Sequence, residues 1–169
     1  METTFDISYY YPIDFNDRFR TYFKLHGLLG FLWRWGQSEI PQAVRYRLGG
    51  YNDLRGYNYL DIGPKSKRAY SPLSPYFDYN IGGDKQFVGQ VEYYVPIIPQ
   101  AGIKGLLFLD IGQVYRENEA VNFQELKSDF GFGFRWLTPM GPLRFEFAYP
   151  YDIKTQSVGD MQFIFTVGN

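Results

Sequence analysis

Hydrophobic and polar residues alternate along most of the chain with a period of two, the pattern of β-strands with two different faces. In the stretch 102–117, Leu107 and Leu109 share one face, whereas Phe108 and Asp110 share the other. The same alternation recurs in six further stretches, at 5–11, 23–31, 86–96, 129–137, 143–149 and 163–167. The pattern predicts seven amphipathic strands and an all-β, antiparallel fold.

The composition of the two faces indicates which one points outward. One face is almost unbroken Phe, Leu, Ile and Val, and the other mixes charged residues with Gln and Gly. A soluble sandwich or lipocalin-type barrel hides its apolar face inside. Glycine and charge make a poor dry core but suit a wet lumen, and a charge facing lipid costs about 2–4 kcal/mol at the bilayer midplane. We therefore predict a transmembrane β-barrel, with a soluble ligand-binding barrel as the alternative that detergent-free extraction would support.

The predicted connections differ in length as they do at the two ends of a membrane barrel. Those near 11–18, 97–102 and 138–142 are short and contain Pro, Gly, Asn or Asp, whereas the connection 34–83 is long and is predicted to be free of strands. Short periplasmic turns and long extracellular loops are typical of outer-membrane barrels.

The predicted strand count suggests a partial barrel. Bacterial single-chain barrels have an even number of strands, and an open sheet edge is not tolerated in lipid. We therefore expect residues 1–169 to form one partial barrel domain, completed by further strands or by another copy. Met1 leads directly into strand-like sequence without a leader, and we interpret the chain as an excised piece of a longer protein.

Composition narrows the function classes. Aromatic residues make up 21% of the chain, with 16 Tyr and 16 Phe, which suits the aromatic girdles of membrane barrels. A net charge of −1 gives no argument for nucleic acid or for steering of a charged partner. The absence of cysteine excludes disulfides and thiolate metal sites. No stretch of about 18 apolar residues predicts a transmembrane helix.

An ordered set of motifs is more specific than any of these patterns. The long connection contains LGGYNDLRGYNYLDIGPK, which is followed by VEYYVP, LLFLDIGQVY and FGFGFRWLTPMGPLRFEFAYP. In this order the motifs resemble the C-terminal part of the barrel in the BamA family of outer-membrane protein assembly factors. The loop signature of that family, Arg-Gly-aromatic, falls on Arg55, Gly56 and Tyr57. The resemblance implies about the last seven strands of a sixteen-stranded barrel and a loop inserted into its lumen.

The resemblance also implies partners for the loop arginine. Carried over by motif, they are Glu92, Phe108 and Asp110, and the alternation places all three on the polar face. A guanidinium can bind a carboxylate bidentately and stack on a phenyl ring. The residues alone leave another interpretation open, in which the two carboxylates pair with nearby lumen cations, namely Lys104, Arg135 or Arg144.

Paired carboxylates could also belong to a glycosidase or a metal site. The sequence offers no second ligand cluster and no setting for a general acid. We therefore expect no enzymatic activity, no metal and no cofactor.

The function implied by the resemblance belongs to the parent protein, which would fold and insert β-barrel proteins through a lateral seam between its first and last strands. The seam strand would carry Phe163, Phe165 and Val167, although the chain ends in FIFTVGN where the family usually ends on an aromatic residue. The implied partners are outer-membrane lipid, unfolded outer-membrane protein clients and accessory assembly lipoproteins, with no nucleic acid, and the implied location is the bacterial outer membrane. A TamA-like autotransporter assembly factor and a passive pore or structural barrel are the alternatives.

Overall fold

The computed structural model describes residues 1–16, 19–34, 36, 39–68, 77–139 and 141–168. Within these ranges the chain forms ten β-strands: β1 (Glu2–Asn16), β2 (Phe19–Leu32), β3 (Lys65–Arg68), β4 (Phe77–Asn80), β5 (Lys85–Ile98), β6 (Ile103–Tyr115), β7 (Lys127–Thr138), β8 (Gly141–Asp152), β9 (Ser157–Val158) and β10 (Gln162–Val167). The helical segments are single 3₁₀ turns at Gln42–Val44, Pro99–Ala101 and Phe123–Glu125. In this part of the chain, no helix has the length and apolar character needed to cross a membrane.

Seven strands form one continuous antiparallel sheet in the order β1-β2-β5-β6-β7-β8-β10, and the two-residue strand β9 pairs with β8. These seven are the strands predicted from the alternation, so the all-antiparallel architecture is confirmed. Within the described residues, β1 and β10 each have a neighbour on one side only, and the sheet is therefore open at both ends. Of the short connections predicted, the first and third include residues 17, 18 and 140, which lie outside the described ranges.

The two faces of the sheet are the inverse of those in a soluble protein. Leu107 and Phe163 on the outer face are 57% and 56% exposed, whereas Asp110 and Glu146 on the inner face are fully buried. Outer aromatic rings form ladders across the strands, such as that joining Phe147 to its neighbours on β7 and β10 at 5.3 and 5.2 Å between centroids. Exposed aromatics outside and buried charge inside fit a wall that has lipid on one side and a polar lumen on the other.

The long connection between β2 and β5 contains strands, so its prediction as strand-free is wrong. Tyr46 pairs with Gly83 and Leu48 pairs with Ile62 as isolated bridges, and β3 pairs with β4 as a separate two-stranded sheet. The segments KSKR and FDYN are short and carry no run of alternating apolar residues, so their sequences gave no strand signal. Residues 69–76, between β3 and β4, lie outside the described ranges.

A buried arginine loop as the candidate functional site

Strand register builds the floor of the site from rows of residues on the inner face. Glu92 on β5 lies opposite Phe108 on β6, and Phe108 lies opposite Gly131 on β7. One row further along, Asp110 lies opposite Asp129. Directly opposed residues have Cβ atoms about 4.5–5.5 Å apart, and the antiparallel pairing therefore brings several carboxylates into one small area.

The loop over this floor has a small hydrophobic core of its own. Leu48, Leu54 and Ile62 of the loop pack with Val88 of β5 and Val114 of β6, and all five are buried. Leu54 has no exposed surface. Burying one such aliphatic side chain contributes about 1.5–3 kcal/mol, so the residue preceding the arginine anchors the loop against the sheet.

Hydrogen bonds between side chains and the loop backbone fix the turn that carries Arg55. Asp53 Oδ1 accepts from the backbone N–H of Gly49 at 2.8 Å and of Leu54 at 2.7 Å. Gln90 Nε2 on β5 donates to the Asp53 carbonyl oxygen at 2.7 Å, and Gln90 Oε1 in turn lies 2.9 Å from His26 Nδ1 on β2. Burial raises the pKa of Asp53 above its ordinary value. The turn is thus held to two strands through groups outside the arginine itself.

Arg55 donates hydrogen bonds to carboxylates on two neighbouring strands inside this site. Its Nε and Nη2 donate to the two carboxylate oxygens of Asp110, both at 2.7 Å, and its Nη1 donates to Glu92 Oε1 at 2.8 Å. The guanidinium carbon lies 3.7 Å from the centroid of the Phe108 ring. The arginine is 1% exposed. The structure therefore brings together all four residues that the resemblance associates, through a bidentate ion pair and a cation–π contact.

The charge state of Arg55 is secure despite its burial. Burial on its own acts to lower the pKa of the guanidinium, but the hydrogen bonds and charge of Asp110, with the charges of Glu92 and Glu146, outweigh it and raise the pKa above its ordinary value. Arg55 is therefore cationic at any physiological pH.

Glu92 binds lumen cations as well as the loop arginine. Arg135 Nη2 donates to Glu92 Oε1 at 3.0 Å, Lys24 Nζ lies 3.2 Å from Glu92 Oε2, and the Tyr94 hydroxyl donates to Oε2 at 3.1 Å. Of the lumen cations considered as alternative partners, Arg135 does pair with Glu92, and it does so at the same time as Arg55. Asp110, by contrast, accepts a hydrogen bond from Arg55 at each of its two carboxylate oxygens.

A third carboxylate contacts the loop arginine, and the sequence did not single it out. Arg55 Nη1 donates to Glu146 Oε2 on β8 at 3.4 Å. Arg135 and Arg144 donate to Glu146 at 3.2–3.3 Å. The alternation does place Glu146 on the polar face. How far the loop extends across the sheet, however, is a long-range property that strand periodicity does not encode.

The glycine after the arginine permits a close approach of the loop backbone to the sheet. A Cβ atom on Gly56 would lie 2.6 Å from Asp129 Cβ and 2.8 Å from the backbone nitrogen of Pro150 on β8. Real Cβ atoms do not come this close, and backbone atoms of a sheet cannot move aside. Glycine is therefore required here by space.

The aromatic residue of the tripeptide adds a hydrogen bond at the far side of the loop. The Tyr57 hydroxyl donates to the Ser128 carbonyl oxygen on β7 at 3.2 Å. Burial, with the negative charge of Asp129, raises the pKa of Tyr57 to about 12. A phenylalanine at this position would keep the ring but lose this hydrogen bond.

Gly131 supports the stacking surface for Arg55. A Cβ atom at this position would collide with the Phe108 ring and with the Phe147 carbonyl oxygen. The Phe108 ring therefore lies over the glycine of the neighbouring strand, an arrangement known to stabilise strand glycines. A side chain at position 131 would displace the ring that Arg55 contacts.

Asp129 is the exception in an otherwise satisfied site. It is fully buried, and neither of its carboxylate oxygens has a hydrogen-bond partner within the described part of the chain. Its cross-strand neighbour is Asp110, another carboxylate. Burying a carboxyl group without a hydrogen-bond partner lowers the stability of the folded state. No sequence pattern distinguished Asp129 from an ordinary lumen residue.

The remaining predicted residues lie apart from the arginine. Phe163, Phe165 and Val167 lie on β10, all more than half exposed on the outer face. Across the described ranges, no group of three or more His, Cys, Asp or Glu side chains is arranged to hold a metal ion. The arrangement at Arg55 is a buried ion-pair network, whose direct physical effect is to hold the loop against the inner face of the sheet.

The family follows from a comparison over the whole chain. The profile of the Omp85 superfamily domain matches residues 1–169. The chain belongs to the Omp85 superfamily. The outer membrane protein assembly factor BamA of Nitratidesulfovibrio vulgaris is 34% identical over 118 residues, which are 69% of this chain and 14% of that protein. BamA of Neisseria meningitidis serogroup B is 27% identical over 163 residues, covering 78% of this chain and 19% of that protein.

A solved structure shares the fold of this Omp85 domain. The crystal structure of BamA from Haemophilus ducreyi lacking POTRA domains 1–3 superposes with a TM-score of 0.72 at 22% identity, over 98% of this chain and 34% of that one. The Omp85 chain thus spans a minor part of the length of the BamA proteins that it matches. Its fold is that of part of a BamA barrel. Proteins of this family are located in the outer membrane.

Proposed function

We propose that this Omp85 chain is part of an outer-membrane assembly factor that folds and inserts β-barrel proteins through a lateral seam, without enzymatic chemistry. The observation that carries the proposal is the match of residues 1–169 to the Omp85 superfamily domain, together with relatives named outer membrane protein assembly factors. Within the described residues β10 is the terminal strand of the sheet and pairs with β8 on one side only, which makes it the candidate for one side of the seam.

The chemistry of an open edge in lipid favours a client strand as its partner. Backbone N–H and C=O groups find no water in the hydrocarbon region, so an unpaired edge must bind another strand. An incoming strand of an unfolded outer-membrane protein would satisfy this requirement by β-augmentation. The proposed assembly factor would also contact the lipid around the seam and would bind accessory assembly lipoproteins.

The Arg55 loop gives the proposed factor a brace. Its guanidinium joins β5, β6 and β8 through Glu92, Asp110 and Glu146. A loop tied to several strands stiffens one region of the wall, and movement is then concentrated at the seam. The same loop covers the inner face at the middle of the sheet. A loop in this position would obstruct the lumen, which argues against a passive pore.

Site-specific photo-crosslinking tests the proposed seam. The complete gene product is reconstituted in liposomes with a photoreactive residue at Phe165, and an unfolded outer-membrane protein is added. We expect crosslinks to the client at this position. Leu107 on β6 is the matched control, because it is equally lipid-facing but lies mid-sheet. Equal crosslinking at both positions, or ion conductance with no client insertion, would contradict the proposal and favour a passive barrel.

A charge exchange tests the proposed brace. With Arg55→Asp and Asp110→Arg combined, the loop carboxylate would face Glu92 and Glu146, so one restored pair is offset by two repulsive contacts. We expect the loop to leave the sheet and client insertion to fall. Unchanged loop position and unchanged insertion would rule the brace out.

A further inference from the structure

The loop also contacts the strand that borders the seam strand. Arg55 Nη1 donates to Glu146 on β8, and Arg144 Nη2 of the same strand donates to the Tyr51 carbonyl oxygen of the loop at 3.4 Å. The backbone of Gly56 lies directly against Pro150 of β8. Three separate points of the loop therefore meet β8, and β8 pairs on its other side with β10.

The register places these contacts beside the seam strand. Glu146 lies opposite Ile164 of β10, and Arg144 lies opposite Thr166. Glu146 is fully buried, so its charge is compensated by the three arginines around it and not by water. The Glu146 carboxylate is the point where three elements meet. It contacts Arg55 of the loop, Arg135 of β7 and Arg144 of β8.

The two ends of the Arg55 network differ in strength. The bonds to Asp110 and Glu92 measure 2.7–2.8 Å, whereas the bond to Glu146 measures 3.4 Å. Short, bidentate, charge-assisted hydrogen bonds are the stronger ones. Loss of the Glu146 carboxylate would therefore leave the arginine docked on β5 and β6 while releasing its hold on β8.

We propose that Glu146 is a positioning residue that couples the docked Arg55 loop to the terminal β8–β10 hairpin. This deepens the proposed function, because it names the contact through which the loop acts on one side of the seam. With Glu146 in place, the loop restrains β8 and, through the pairing of β8 with β10, the seam strand. Without its charge, the hairpin moves independently of the loop.

Hydrogen exchange of the complete gene product in lipid nanodiscs tests the coupling without any client. In Glu146→Gln we expect backbone amides of β10 to exchange roughly tenfold faster, the effect of losing one charge-assisted contact network. Exchange in the loop 48–62 should change far less, because Asp110 and Glu92 still hold Arg55. Glu119→Gln is the matched control, since Glu119 is about half exposed and forms an ion pair with the neighbouring surface residue Arg116. Unchanged exchange in β10 would overturn the proposal.

A double-variant cycle separates coupling from a merely structural role. In an Arg55→Ala background the loop no longer restrains β8, so Glu146→Gln should add little further exchange in β10. If the effects of the two substitutions simply add, Glu146 stabilises the hairpin on its own and the coupling is refuted. Because this measurement needs no client, failure of client insertion in the wild-type protein would refute the proposed function and leave the coupling standing.

Discussion

Arg55 and Asp110 form a buried side-on ion pair in which Nε and Nη2 donate to the two oxygens of one carboxylate, each at 2.7 Å. The residues are 55 positions apart in the chain, and neither has more than 1% of its surface exposed. Two parallel bonds fix both the distance and the plane of the guanidinium. Its central carbon lies over the Phe108 ring, 3.7 Å from the ring centroid.

Substitution Arg55→Lys should release the loop, because an ammonium group cannot make two parallel bonds to Asp110 while also reaching Glu92. Breaking a buried pair costs about 3–5 kcal/mol, and less where water enters the lumen. Hydrogen exchange of the backbone amides in the loop 48–62 measures loop release in the complete gene product. Arg34→Lys is the control, because Arg34 pairs with Glu117 at the exposed end of the sheet. Equal exchange in the Arg55→Lys variant and the parent would contradict the assignment of Arg55 as the main anchor.

Substitution Gly56→Ala should prevent close docking, since the added methyl group meets backbone atoms of Pro150. We expect hydrogen exchange in the loop 48–62 to become faster and the thermal midpoint of unfolding to fall. Gly27→Ala is the matched control, because a Cβ atom at that strand position has no heavy atom within 4 Å. A Gly56→Ala protein that unfolds at the parent temperature would show that the approach to Pro150 is relaxed in solution.

The alternation of residues was sufficient to place the floor of this site, because side chains two positions apart on a strand must share a face. Phe108 and Asp110 could therefore be assigned to the lumen from sequence, and their strands followed from the same pattern. Glu146 was assigned to the same face, yet its contact with Arg55 depends on the path of a long loop. That path is set by the packing of Leu54 and by the bridge between Leu48 and Ile62, neither of which has a periodic signature.

Substitution Asp129→Asn should raise the stability of the docked state. Asp129 is buried, neither of its oxygens has a hydrogen-bond partner in the described part of the chain, and it lies opposite the carboxylate of Asp110, so the site opposes a second negative charge. Asparagine has nearly the same shape, carries no charge at any pH and keeps the packing against Gly56. We expect a higher thermal midpoint and slower hydrogen exchange in the loop 48–62. Asp61→Asn, which removes an exposed pair with Lys65, should leave both quantities unchanged. A lower thermal midpoint in Asp129→Asn would contradict the assignment of Asp129 as a destabilising carboxylate.

The loop should also loosen at high pH through Tyr57. Burial and the charge of Asp129 raise the pKa of this phenol from 10.0 to about 12, so the folded state holds the proton more tightly than the unfolded chain does. Its contribution to stability is therefore complete below pH 10 and is lost as the pH rises through about 12. We expect the thermal midpoint to decline across this window in the parent protein, and the decline to be smaller in Tyr57→Phe, which has no proton to lose. Tyr59→Phe is the control, because Tyr59 is 74% exposed. If Tyr57→Phe and the parent declined equally, ionisation of the buried Tyr57 phenol would not be what loosens the loop.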